Sequence, residues 1–254
     1  MKVLRILYSL FFALFLFSCT NTEHQEPQSW ESSTIYIPVD SNIAINIDPK
    51  IDSFIIPYRE RVDSAMNEVI GISEVEHFKN KPNGLLNNLT TDMVLKMSRK
   101  HSGTAGMMPE ICLLNYGGLR YPLPKGPLTV GNVFQLMPFE NEMVILELSG
   151  NQIDSLFRYI IASEGQPVAG CKIIKKHKDY QAFINEKPFE ISKNYIVVTS
   201  DYLADGGDKM SFFKNPITYY RTGILIRDAM IEYIKEFQKE NKTLKPNTEE
   251  RIIL

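Results

Sequence analysis

The sequence predicts an α+β domain, and three observations carry that expectation. Stretches with a 3.6-residue apolar period alternate irregularly with short runs of β-formers. No internal repeat appears. Hydrophobic content of 44% and charged content of 23% are those of a chain that can bury an ordinary globular core.

The chain starts with a segment that does not belong to that core. Lys2 and Arg5 precede an apolar run from about Ile6 to Phe17, a basic region before a stretch too short to span a bilayer comfortably. Leu16-Phe17-Ser18-Cys19 resembles a bacterial lipobox, in which Cys19 becomes the lipidated first residue of the mature protein; an ordinary secretory signal or an uncleaved anchor would share the same order. Residues 1–18 are therefore expected to be a lipoprotein signal peptide. "TNTEHQEPQSWESS" is polar and aperiodic, so residues 19–33 are expected to form a flexible tether. The implied location is the bacterial cell envelope, on the periplasmic side or the outer membrane, with the membrane held through the acyl chains on Cys19.

The folded domain is expected over residues 34–254. "TIYIPV" reads as a strand over Thr34–Val39. A helix follows from Asp48 as cap and Pro49 as first residue. Ile51, Phe54, Ile55, Tyr58, Val62, Met66 and Val69 recur at helical spacing, and Pro57 is expected to kink or break it. A second helix spans about Gly84–Lys100 with Leu85, Leu86, Leu89, Met93 and Met97 inward. Glu110–Tyr116 reads as a central strand, and Thr129 caps a short helix through Leu136. "EMVILEL" is a strand, and Ser149 caps a helix holding Ile153, Leu156, Phe157, Tyr159 and Ile160. Strands fit Lys172–Ile174, Ala182–Ile184 and Tyr195–Thr199. "ITYYRTGILIRDAMIEYIKEF" reads as the last helix, and Ile252–Leu254 as an edge strand.

Several function classes are excluded by inventory. The net charge of −2, about −4 without Lys2 and Arg5, offers no basic surface for nucleic acid. Four histidines (His24, His77, His101, His177) form no HxH or HExxH pattern, and "EVEH", Glu74 to His77, reads as a solvated face rather than a ligand set. No GxSxG elbow, Walker A loop or Cys-His pair is present. Cys112 and Cys171 lie beside apolar residues, which suits buried thiols, although an envelope disulfide would also be compatible. No catalytic residue and no metal ligand is assigned to this chain.

Three loops remain as carriers of chemistry. "LLNYGGLRYPLP" ends a strand at Asn115, turns on Gly117-Gly118 and releases Arg120, an arrangement of donors suited to an oxygen-rich ligand. "GPLTVGNVFQLMPFEN" places Phe139 between Pro138 and Glu140-Asn141. "YIVVTSDYLADGGD" ends a strand with Tyr202, then Gly206-Gly207 and Asp208. Taken singly, each glycine pair is compatible with a plain turn, and Phe139 and Tyr202 with core plugs.

Taken together and in this order, "NYGGLR", "LTVGNVFQLMPF", "LSG" and "YLADGGD" resemble the C-terminal domain of the 5'-nucleotidase and UDP-sugar hydrolase family, from about residue 50 to the end. The resemblance implies that Phe139 and Tyr202 sandwich a nucleobase and that Asp208 accepts from ribose hydroxyls. It places Asn115 and Arg120 near base, ribose and phosphate. Tyr202 stands where the family pattern has Phe. The position of a further family Arg falls near Asn80, flanked here by Lys79 and Lys81.

No stretch resembles the family's metallophosphoesterase domain, so any divalent metals would belong to a separate metallophosphoesterase-like subunit. The resemblance thus implies a nucleotide- or nucleoside-binding subunit of a split 5'-nucleotidase, inactive alone. A stand-alone nucleoside-binding lipoprotein and a structural envelope protein are the competing readings.

Overall fold

The computed structural model describes Thr34, residues 48–102 and residues 106–254. The signal peptide, Cys19, the tether and most of the Thr34–Val39 strand lie outside the described residues. Pro49–Leu254 forms one compact unit, and its α+β class agrees with the sequence.

Its centre is a five-stranded mixed sheet. The strands, in chain order, are β1 (Val69–Ser73), β2 (Ile111–Leu113), β3 (Gly126–Thr129), β4 (Glu142–Ser149), β5 (Val168–Ala169), β6 (Cys171–Lys175), β7 (Tyr180–Ile184), β8 (Lys187–Pro188), β9 (Asn194–Ser200), β10 (Thr218–Leu225) and β11 (Ile252–Ile253). The central sheet runs β10-β4-β9-β2-β5, with β11-β6-β7-β8 as a second sheet and β1-β3 as a ribbon. In the central sheet only the β2–β9 pairing is parallel, with Ile111 opposite Val197 and Cys112 opposite Val198. The helices are α1 (Pro49–Met66), α2 (Leu85–His101), α3 (Val130–Leu136), α4 (Gly150–Ala162), α5 (Asp201–Ala204) and α6 (Ile226–Lys239).

Both faces of the central sheet are covered, and β4 shows why its sequence is almost continuously apolar. Its Met143 and Ile145 join Met93, Met97, Ala229 and Met230 from α2 and α6 in one core. Val144, Leu146 and Leu148 join Ile153, Leu156, Phe157 and Ile160 of α4 in the other. Local signals set the helix starts. Thr129 Oγ accepts from Asn132 N–H while Asn132 Oδ1 accepts from Thr129 N–H, a reciprocal box that opens α3. Gln152 Oε1 accepts from both Ser149 N–H and Ser149 Oγ at the start of α4.

Four expectations are corrected. Pro57 does not break α1, which runs unbroken from Pro49 to Met66 with no buried residue, so water can satisfy the carbonyl that the proline leaves unpaired. The apolar residues of that helix stay exposed, Phe54 by 70%, apart from Met66, which packs against the core. The last helix begins only at Ile226. The preceding Thr218–Leu225 is strand β10, whose Thr and Tyr residues pair with β4 instead of extending the helix. The central strand spans only Ile111–Leu113, and Tyr116 sits in a one-turn 3-10 helix. His77 is fully buried rather than on a solvated face, with Nδ1 3.2 Å from Ser73 Oγ. Burial lowers its pKa below the ordinary 6.5. Cys112 and Cys171 are buried free thiols, and burial pushes the Cys171 thiol up to about 12.

The C-terminal strand is held by a polar clasp. Arg251, 4% exposed, makes a two-pronged bond to Asp92 at 2.7 and 2.9 Å and donates to Thr91 Oγ and to the Val168 carbonyl. Asn83 Oδ1 accepts from the amides of Arg251 and Ile252, and Asn88 Nδ2 donates to the carbonyls of Asn247 and Glu249.

Asp92→Asn should cost about 2–3 kcal/mol in urea unfolding, less than the roughly 3–5 kcal/mol of breaking a fully buried pair because Asp92 is itself partly in water. Acidification below about pH 6.5 should destabilise the domain, because the unfolded chain protonates His77 before the folded one does. Stability profiles of wild type and His77→Gln between pH 7.5 and pH 5, pH values about one unit either side of the ordinary His range, should converge in slope if another group is responsible.

Candidate functional site

Three loops meet at one edge of the central sheet because of strand direction. β2 and β9 are parallel neighbours and so end on the same edge, while antiparallel β4 begins there, with Met143 opposite Ser200. The Asn115 loop leaves β2, the Tyr202–Asp208 segment leaves β9, and Phe139–Asn141 leads into β4.

Each loop is fixed by its own backbone chemistry. After β2 the chain turns through Tyr116–Gly118, closed by Gly118 N–H to the Asn115 carbonyl at 3.0 Å. The Asn115 side chain packs over Gly118, where a Cβ would lie 2.5 Å from Asn115 Oδ1. Lys79 Nζ supports the same turn, donating to the carbonyls of Leu119 at 2.7 Å and Tyr116 at 3.3 Å and lying 4.5 Å from the centre of the Tyr116 ring. Burial and the neighbouring Arg120 lower the Lys79 pKa. Arg120 donates to the Gly117 carbonyl, and its guanidinium lies 5.4 Å from the centre of the Phe139 ring.

The Phe139 loop is tied to the start of α6. Ile226 N–H donates to the Asn141 carbonyl at 2.9 Å. Arg227, stacked 4.0 Å from the centre of the Phe134 ring, reaches the Phe139 carbonyl at 3.4 Å. Phe139 itself remains 37% exposed.

The third loop begins at Ser200, whose Oγ caps α5 by accepting from Leu203 N–H. Tyr202 is 46% exposed. Gly206 adopts φ 92°, which favours glycine, and a Cβ on Gly207 would lie 2.5 Å from the Tyr202 ring, so that ring lies against bare backbone. Asp208, at φ 50°, is then enclosed by donors. Its Oδ1 accepts from the Tyr202 hydroxyl at 2.9 Å, its Oδ2 from Asn115 Nδ2 at 2.6 Å, and its carbonyl from the Tyr159 hydroxyl at 2.9 Å. Burial and the nearby Asp208 raise the Tyr159 pKa, so this phenol stays protonated and able to donate.

Asn115, Gly117, Gly118, Arg120, Phe139, Tyr202 and Asp208 thus line one cavity of about 350 Å3. That volume lies within the range of small-molecule sites. Gly206 and Gly207 shape the loop without appearing on the wall. Asn141 also lines the cavity. Sequence reasoning missed it, together with Tyr159; its position two residues after Phe139 in "PFEN" was the available signal.

Asn80 and Lys81 line a larger hollow of about 620 Å3 by the C-terminal strand, and the Lys81 ammonium also lies 5.4 Å from the centre of the Tyr116 ring. Two of that hollow's asparagines, Asn83 and Asn88, are occupied by backbone groups. Among the described residues no cluster of His, Cys, Asp and Glu could hold a metal ion, and no helix is long and apolar enough to cross a membrane.

The chain and its fold have matches among known proteins. The profile described as "5'-nucleotidase, C-terminal domain" covers residues 68–215, more than half of the chain, and the chain belongs to that family. It is 26% identical to an apyrase of Anopheles gambiae, over 86% of this chain and 40% of that one. It is 23% identical to a 5'-nucleotidase of Diplobatis ommata, over 85% and 42%. A crystal structure of a 5'-nucleotidase precursor from Thermus thermophilus superposes with a TM-score of 0.64 at 26% identity, covering 80% of this chain and 42% of that one. The chain therefore spans about two-fifths of the length of these relatives.

The two glycines of the first loop should respond differently. Gly118→Ala drives a methyl into Asn115 and should cost about 1–3 kcal/mol. Gly117→Ala, where the nearest atom is Asn115 Nδ2 at 3.7 Å, should stay within about 0.5 kcal/mol. Thermal unfolding of both variants checks the difference.

Proposed function

We propose that this chain is the nucleotide- or nucleoside-binding subunit of a split 5'-nucleotidase, with Phe139 and Tyr202 stacking on the base and Asp208 accepting from ribose hydroxyls. Asn115 and Arg120 complete the contacts toward base, sugar and phosphate. The observation that supports the reading is the single cavity lined by two part-exposed rings, a carboxylate and a guanidinium. Stacking contributes about 1–3 kcal/mol per base on alanine substitution. With a charge-assisted sugar contact, affinities of roughly micromolar to millimolar order follow.

Hydrolysis would then require a metallophosphoesterase-like partner. Divalent metals bound there would activate water against phosphorus, and this chain would position the substrate. The family match to the C-terminal domain, with no metal-binding cluster among the described residues, is compatible with that division of labour. In this reading residues 1–18 are a leader, Cys19 is lipidated and residues 19–33 tether the 34–254 domain to the envelope membrane.

Calorimetry with adenosine, AMP and UDP-glucose tests the site. Binding of at least one is expected, with Phe139→Ala and Tyr202→Ala each weakening it about tenfold, the equivalent of 1.4 kcal/mol, without unfolding the domain. No binding at millimolar concentration, or unfolding of the variants, contradicts the clamp. Affinity purification from the native membrane should recover a metallophosphoesterase-like chain; recovery of the protein alone, with no nucleotidase activity, favours a stand-alone nucleoside-binding lipoprotein.

A further inference from the structure

Tyr202 contributes more to the cavity than a ring face. Its hydroxyl donates to Asp208 Oδ1 at 2.9 Å and accepts from Asp208 N–H at 3.3 Å, so both carboxylate and backbone of Asp208 are bound to one side chain. The opposite oxygen, Oδ2, is held by Asn115 Nδ2 at 2.6 Å, and the Asp208 carbonyl by Tyr159. These bonds restrain a residue whose left-handed backbone, φ 50°, is unfavourable for a non-glycine. The Tyr202 ring is restrained in turn by the Gly207 backbone beneath it. A carboxylate offers about four lone-pair sites. One on each oxygen is used inside the protein, which leaves acceptor capacity on each.

We propose that the Tyr202 hydroxyl is a positioning and specificity-determining group that aims Asp208 as a two-acceptor edge for a vicinal diol, and so selects ligands carrying an intact cis-diol sugar. The inference rests on the nucleoside reading above and extends it. A phenylalanine at this position would supply the same stacking face and leave Asp208 Oδ1 without its internal donor. The carboxylate could then rotate about its side-chain torsions, and a diol would have to order it on binding. Stacking and sugar recognition are coupled here through one oxygen atom.

The test is Tyr202→Phe, which keeps the ring, in titrations with adenosine, 2'-deoxyadenosine and 9-methyladenine. Wild type should prefer adenosine to 2'-deoxyadenosine. The variant should bind adenosine about fivefold more weakly, the size of one lost hydrogen bond, with 9-methyladenine unchanged within about twofold. The adenosine preference over the deoxynucleoside should shrink accordingly.

Adenosine binding at wild-type strength in Tyr202→Phe overturns the inference and leaves the nucleoside reading standing. Equal weakening of adenosine and 9-methyladenine also overturns it, because the ring rather than the diol contact would have moved. Failure of wild type to bind any of the three overturns both.

Discussion

The parallel pairing of β2 with β9 is the constraint on which the candidate site depends. Parallel strands end on the same edge of a sheet, where the connecting backbone is released from the ladder and can present side chains. Inserting β9 between β2 and antiparallel β4 adds the start of β4 to that edge. Segments far apart in the chain, around residues 115, 139 and 208, are thereby brought to one cavity without any direct sequence contact. The rest of the structure keeps this register. Two buried cores press on opposite faces of the sheet, and a one-residue slip of β4 would send Val144, Leu146 and Leu148 into the wrong one.

The elements that the sequence makes legible are those with a local signal. α3 begins where Thr129 caps it, and α4 where Ser149 meets Gln152, because a helix start needs side-chain partners within a few residues. β4, β6 and β9 are dense enough in β-formers to be read directly. β10 is the instructive failure. "TYYRTGIL" carries apolar spacing that fits a helix when joined to the run after Ile226, and only its pairing with β4 decides the matter. The same holds for His77, whose neighbours Glu74 and Glu76 are exposed while its own ring is enclosed; the polar company in the chain is not the company in space.

The site divides along the same line. Glycine pairs mark both turn-forming loops, and their physical reasons are now specific: Gly118 makes room for the Asn115 amide and Gly207 for the Tyr202 ring. Those are local demands, readable as punctuation. The supports come from distant elements and leave no such mark. Lys79 reaches its loop from before α2, Arg227 holds the Phe139 carbonyl from α6, and Tyr159 holds Asp208 from α4. Each is a long-range contact between residues ordinary in their own segments.

Charge supplies the last link between scaffold and ligand class. Lys79 and Arg120 lie close enough for the guanidinium to lower the lysine's pKa, and neither is among the ion pairs of the described residues. Both cations bond to backbone carbonyls instead, which satisfies donors without neutralising charge. Asp208, which lines the cavity with Arg120, is bonded by two neutral donors, Asn115 and Tyr202. Arg120 and the Asp208 carboxylate thus lie on one cavity wall, and Lys79 supports the Arg120 loop from outside it. Within the proposed reading, a ligand bearing both a sugar diol and a phosphate satisfies the two ends at once, whereas a bare nucleoside answers only the carboxylate.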